Sequence, residues 1–205
     1  MRRRGNSVSE FTERNGRNQN KMETKIIFDI ETVPVNPEAY EEMTEVQRKK
    51  TINAIDQRIV AIGTSTKDGM WTIVGDDEKD MLNEFWNKLP PFFTLCGFNI
   101  KQFDLPMLIT RSFANNIPIT PFNVHDTIDL REYLNCHAWG YTRGKLKEYG
   151  EMCGIKYNGE DGSMVYNLWK EKRLASIEEY LRRDLQITTK VYERCMTLGI
   201  MSVKR

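Results

Sequence analysis

An α/β fold built on a mixed β-sheet is predicted by three features of the sequence. Short apolar runs near residues 25–31, 58–66, 70–75, 93–98 and 123–130 read as five strands. Amphipathic stretches separate the later runs. The chain then closes on its best-marked helix, "SIEEYLRRDLQITTKVYERCMTLG". The order of three strands, helix, strand, helix, strand and further helices predicts a sheet that is antiparallel at its start, parallel later, and flanked by helices.

In "KIIFDIE" side chains alternate, so Lys25, Ile27, Asp29 and Glu31 share one face and Ile26, Phe28, Ile30 and Thr32 the other. A polar, Pro-interrupted excursion over 33–51 follows, with some helical character. "RIVAIGTST" and "MWTIVG" flank "KDG", an Asp-Gly turn signal, and read as a hairpin. Asp76 or Asp77 caps a helix through "EKDMLNEFWNKL", which stops before Pro90. "FTLCGF" is a short buried strand, and "FDLPMLITRSFANN" a helix with Asp104 at its N-cap and Pro106 in its first turn. "NVHDTIDL" ends a strand, with helical segments near 129–135 and 144–153. Ser176 and Glu179 stand in capping-box spacing at the start of the last helix, and Gly199 stops it.

The chain has 205 residues, 40% of them hydrophobic, enough for one domain with a full core. No apolar run approaches the roughly 18 residues of a membrane span. Cys96, Cys136, Cys153 and Cys195 form no C-x-x-C pair, which suits a reducing cytoplasm better than a zinc knuckle or a disulfide framework. Residues 1–21 hold six basic and two acidic groups, a balance of +4 within a total of +1, so the remainder carries −3. They read as a disordered basic arm, dispensable for catalysis, before a domain at 22–205; Met22 is an alternative start. An acidic body of this kind argues against a grip on long duplexes.

Asp29 and Glu31 are the anomaly. Like charges two positions apart on an apolar strand repel, and burial raises the cost of each. Asp104 and Asp184 come from other elements that the sheet could bring to the same place, and Tyr180 lies one helical turn before Asp184. Clustered carboxylates are tolerated when divalent cations neutralise them, and magnesium or manganese prefer such oxygen ligands. Two such ions about 4 Å apart acidify a water and stabilise the leaving oxygen of a phosphodiester.

"FDIET", "GFNIKQFD" and "YLRRD" resemble the three exonuclease motifs of the DEDD 3′–5′ exonucleases. Tyr-x-x-x-Asp marks the tyrosine branch, similar to the proofreading domain of family B DNA polymerases. Neither His125 nor His137 stands where the histidine branch needs one. The resemblance spans about residues 24 to 198 and implies a ribonuclease H-like fold. It also implies that Asp29, Glu31 and Asp184 bind the first metal, that Asp29 and Asp104 hold the second, and that Tyr180 orients the attacking water. Asn99 is placed near the terminal sugar, Phe103 below the site, and the backbone around Ile30 and Thr32 against the 3′ nucleotide. The expected activity is Mg2+- or Mn2+-dependent hydrolysis of single-stranded 3′ ends, DNA before RNA, to nucleoside 5′-monophosphates. The chain would act alone or with a separate replication or repair protein.

Plainer readings stand beside these. Asp104 could be only an N-cap, and Tyr180 with Asp184 a partly exposed face. Asp126 and Asp129 suit turn or cap duty, and Cys136-His137 lacks partners at ligand spacing. Arg48-Lys49-Lys50, Arg143/Lys145/Lys147 and Lys170/Lys172/Arg173 read as solvated faces. If one is functional it is Arg143 and Lys145, beside Trp139 and Tyr141, which could stack a base. Rival functions are an endonuclease or junction resolvase on the same fold, which does not need Tyr180, and a non-catalytic nucleic-acid-binding protein.

Overall fold

A computed structural model describes residues 24–137, 144–156 and 162–202. Residues 1–21 of the basic arm, and Trp139, Tyr141 and Arg143, lie outside the described residues. Strand β1 (Thr24–Pro34) is followed by two short helices, α1 (Pro37–Glu42) and α2 (Glu45–Lys50), then the hairpin of β2 (Gln57–Thr66) and β3 (Gly69–Val74). Helix α3 (Glu78–Lys88), β4 (Phe93–Gly97), α4 (Asp104–Ala114), β5 (Ile128–Asp129) and α5 (Leu130–Leu134) come next. Helices α6 (Leu146–Met152), α7 (Met164–Lys170) and α8 (Leu174–Thr197) complete the described chain.

The five strands lie in the order β3-β2-β1-β4-β5. β1 and β3 flank β2 antiparallel, whereas β1–β4 and β4–β5 are parallel, which is the mixed α/β sheet the element order predicts. β1 is therefore central, and its alternation divides the core. Ile26, Phe28 and Ile30 enter a cluster with Leu82 and Phe85 of α3 and Leu105 and Leu108 of α4. Ile27 and Val33 enter a second with Val165 and Leu168 of α7 and Ile177, Leu181 and Leu185 of α8. Asp29 and Glu31 share that second face.

Local chemistry explains most element ends. Asn36 caps α1, and Thr44 with Gln47 forms a capping box on α2, so the excursion is two small helices. Asp77 caps α3 through the Asp80 N–H at 3.0 Å, while Asp76 accepts from the Trp169 indole. Two sequence expectations fail. Helix α8 begins at Leu174, not at Ser176: its N-cap is Arg173, which makes no side-chain cap, and Ser176 lies inside the first turn with its hydroxyl accepting from Arg173. The N-cap of α4 is Phe103, with Asp104 inside the helix, so Asp104 is released from capping. Helix α7 carries no strong start signal and was not anticipated.

The β1–β2 register shifts between Glu31 and Thr32: Glu31 faces Ala61, but Thr32 faces Ile59. This bulge places Val60 and Ala61 in the same cluster and bends β2 beside the acids. The Ile59 N–H beside the bulge is satisfied by Glu78, 2.7 Å away. Glu78 itself is buried and takes a two-nitrogen contact from Arg111 and one from the Asn115 amide.

Gly63, opposite Asp29, sets the spacing of α8. A Cβ there would lie 2.6 Å from Leu185 Cδ1 and 3.0 Å from Leu181. Replacing Gly63 by Val should lower unfolding free energy by about 1–3 kcal/mol through overpacking, read from urea denaturation midpoints. A loss below about 0.5 kcal/mol would mean that α8 is free to shift.

Candidate active site

Four elements deliver the site. β1 brings Asp29 and Glu31, α4 brings Asp104, α8 brings Tyr180 and Asp184, and α6 brings Lys147. Glu31, Asp104 and Asp184 are 9%, 4% and 7% exposed, so these charges face little water. One carboxylate oxygen from each of Asp29, Glu31 and Asp184 lies within 4.8 Å of the other two. Asp104 joins from the other side, sharing a side-chain hydrogen bond with Asp29 and accepting the N–H groups of Ile30 and of itself. All four sequence-predicted acids thus converge.

The acids feel one another. Burial pushes Asp29 well above the usual carboxylate range, and repulsion from Asp104, Glu31 and Asp184 pushes it further. Glu31 is raised by burial and then by Asp184 and Asp104, with Lys147 opposing. Asp104 is pushed up to about 7 by burial, against the pull of the N–H groups it accepts. A hydrogen bond between two carboxyl groups needs a proton on one of them, which is the state their raised proton affinities favour. The donor set suits a hard divalent ion, since it is all carboxylate oxygen with three donors converging.

Tyr180 stands at the edge of this cluster, 8% exposed. Its hydroxyl is hydrogen-bonded to Asp184, one turn along α8. Burial first, then the charges of Glu31 and Asp184, hold its proton on far above the ordinary phenol range. Lys147 Nζ donates to the same hydroxyl at 2.8 Å and lies 4.4 Å from the ring centre. The expectation that Lys147 belongs to a solvated basic face is thereby corrected: α6 turns it into the acid cluster. Gly150 permits this, because a Cβ there would meet Ile187 of α8 at 2.7 Å.

The other expected residues fall around the acids. The Ile30 side chain is buried in the core and its N–H is taken by Asp104, while Thr32 is half-buried beyond the bulge. Phe103 packs against the core beneath α4. Asn99, at φ +63°, hydrogen-bonds with Asp129 and Arg131. Asp129 caps α5 as expected but also accepts two N–H groups from the Asn99 loop. Asp126 accepts only from Asn123 among the described residues. Lys145 is exposed.

The family model described as "predicted 3′–5′ exonuclease related to the exonuclease domain of PolB" matches residues 49–202. The chain belongs to this family. It is also 30% identical over 190 residues to the uncharacterized protein MJ0365 of Methanocaldococcus jannaschii, covering 86% of this chain and 98% of that one. The family B DNA polymerase of the hyperthermophilic archaeon Pyrobaculum calidifontis matches in structure, with a TM-score of 0.61 and 17% identity. The match covers 88% of this chain and 25% of the polymerase, so this exonuclease-family chain spans about a quarter of that protein. The shared fold is ribonuclease H-like. No helix among the described residues is long and apolar enough to cross a membrane.

The raised acids set a pH dependence. Protons bound by the native acids at a pH where the unfolded chain has lost them make stability fall as pH rises. The window runs from about 4, the ordinary Asp value, up to the about 7 of Asp104. In EDTA the melting temperature should therefore fall between pH 4.5 and 7.5 more steeply for the natural protein than for Asp29→Asn. Adding Mn2+ at pH 7.5 should restore it. Parallel melting curves for the two proteins would show that the acids do not carry this term.

Proposed function

We propose that this chain is a metal-dependent 3′–5′ exonuclease of the tyrosine DEDD type, hydrolysing single-stranded DNA ends, and RNA ends less well, to nucleoside 5′-monophosphates. The observation that carries the reading is the convergence of Asp29, Glu31, Asp104 and Asp184 with the Tyr180 hydroxyl bonded to Asp184. Asp29, Glu31 and Asp184 would hold one ion, and Asp29 with Asp104 a second. Mg2+ or Mn2+ there would acidify water and stabilise charge on the leaving oxygen.

The chain's own groups do the positioning. The Tyr180 hydroxyl, at the edge of the acid cluster and bonded to Asp184, would hold the attacking water. Lys147, already on that hydroxyl, fixes the phenol and sets a positive charge beside the scissile phosphate. The water oxygen bonds to phosphorus as the bond to the upstream O3′ breaks. A 5′-monophosphate leaves, and a shortened strand with a new 3′-hydroxyl remains. Backbone near Ile30 and Thr32, the Asn99 amide and the Phe103 ring form the bed of the last nucleotide. The four free cysteines fit work in the reducing cytoplasm, alone or beside a replication or repair protein.

The test is incubation with 5′-labelled DNA and RNA, with and without Mn2+. A ladder shortening from the 3′ end, blocked by a 3′-terminal phosphorothioate, is expected; internal cleavage that survives the block would replace this reading with an endonuclease. Asp29→Ala and Asp184→Ala should each lower the rate about a thousandfold or more, the loss of several kcal/mol of charge stabilisation. Tyr180→Phe should lower it roughly 10- to 100-fold and spare metal binding, less than a residue that itself transfers the proton can cost. Full activity in Asp29→Ala would end the assignment. Residues 1–21 are proposed to be dispensable, so a chain starting at Met22 should degrade a short oligonucleotide within about twofold of the full rate.

A further inference from the structure

The loop between β4 and α4 is clamped by the β5–α5 junction. Asp129, 1% exposed, gathers three backbone N–H groups onto one carboxylate. Asn99 and Arg131 donate to Oδ1 at 2.9 and 3.0 Å, and Lys101 donates to Oδ2 at 3.1 Å. These bonds hold Asn99 at a φ of +63°, a left-handed conformation that asparagine tolerates better than most residues. The loop leaves β4 hard against β1, since a Cβ on Gly97, the last residue of β4, would lie 2.8 Å from the Phe28 carbonyl, next to Asp29.

Arg131 then decides which way the Asn99 amide faces. Its Nη1 donates to Asn99 Oδ1 at 2.9 Å. A guanidinium has no acceptor, so the amide oxygen must face Arg131 and the NH2 must face away. Among the described residues no group accepts from that NH2. A flexible asparagine can present either end of its amide; this one is held with its donor outward.

We propose that Asp129 and Arg131 are positioning residues that lock Asn99 as a hydrogen-bond donor for a sugar oxygen of the 3′-terminal nucleotide. This rests on the exonuclease reading above. The pocket consequently favours a terminal sugar that offers an oxygen lone pair, and the clamp acts on substrate through Asn99 alone.

The experiment reads strand binding and turnover separately. Kd for a fluorescent single-stranded oligonucleotide is measured by anisotropy in Ca2+, and KM and kcat in Mn2+. Asn99→Ala should raise Kd and KM about five- to tenfold, the worth of one hydrogen bond, with kcat changed less than about threefold. Arg131→Ala should do the same, and the double variant should bind no more weakly than Asn99→Ala. Arg131→Lys, which retains a donor, should recover binding to within about threefold. Asn99→Asp keeps the contact to Arg131 but has no NH2, and should bind as poorly as Asn99→Ala. Glu132→Gln, which breaks the neighbouring Lys101 pair, is the control and should change Kd less than about twofold.

Additive losses for Asn99 and Arg131 would overturn the proposal, because Arg131 would then act by itself. Natural binding by Asn99→Asp would overturn it as well. Binding with the expected pattern but no hydrolysis would support the clamp and sink the exonuclease reading. Absence of strand binding by the natural protein would sink both.

Discussion

Repulsion among buried carboxylates is the constraint around which this molecule is arranged. Asp29, Glu31, Asp104 and Asp184 are each favoured by water and disfavoured by one another, yet three chain segments bring them together. Burial of the surrounding apolar residues supplies the free energy that holds them there. Ile27, Leu181 and Leu185 on one side and Phe28, Ile30 and Leu105 on the other fix the strand and helices regardless of what the acids prefer. Glu78 shows the alternative. It is just as buried, but Arg111, Asn115 and the Ile59 N–H satisfy it internally, so it braces the fold and calls for no outside cation.

What the sequence revealed of this arrangement depended on whether the signal was local. The period of two placed Asp29 with Glu31, and one helical turn placed Tyr180 with Asp184, because both relations follow from backbone geometry. The mixture of antiparallel and then parallel strands followed from the succession of elements. Lys147 was hidden, since nothing in "GKLKEYG" says which face of α6 meets α8; the close approach of Gly150 to Ile187 decides it. Asp129 could be read as a cap, which it is, but its bonds to Asn99 and Lys101 span about thirty residues. Asp104 stands one position inside its helix and not at the N-cap, a difference that turns its carboxylate toward Asp29 and the Ile30 N–H.

Polarity in this site is also distributed unequally. Acids dominate the β1–α8 side, with Lys147 beside them on the Tyr180 hydroxyl, while Lys101 and Arg131 are engaged by Glu132 and Asn99. A body of net −3 sets up no broad positive field, so any contact it makes with a polyanion is local.

The bareness of Gly63 gives α8 an unusual responsibility. Tyr180 and Asp184 ride on α8, whose Leu181 and Leu185 sit too close to Gly63 for a methyl group, and Gly63 is the residue that faces Asp29 across the sheet. The seat of α8 on the sheet and the approach of Asp184 to Asp29 are thus set at one and the same place.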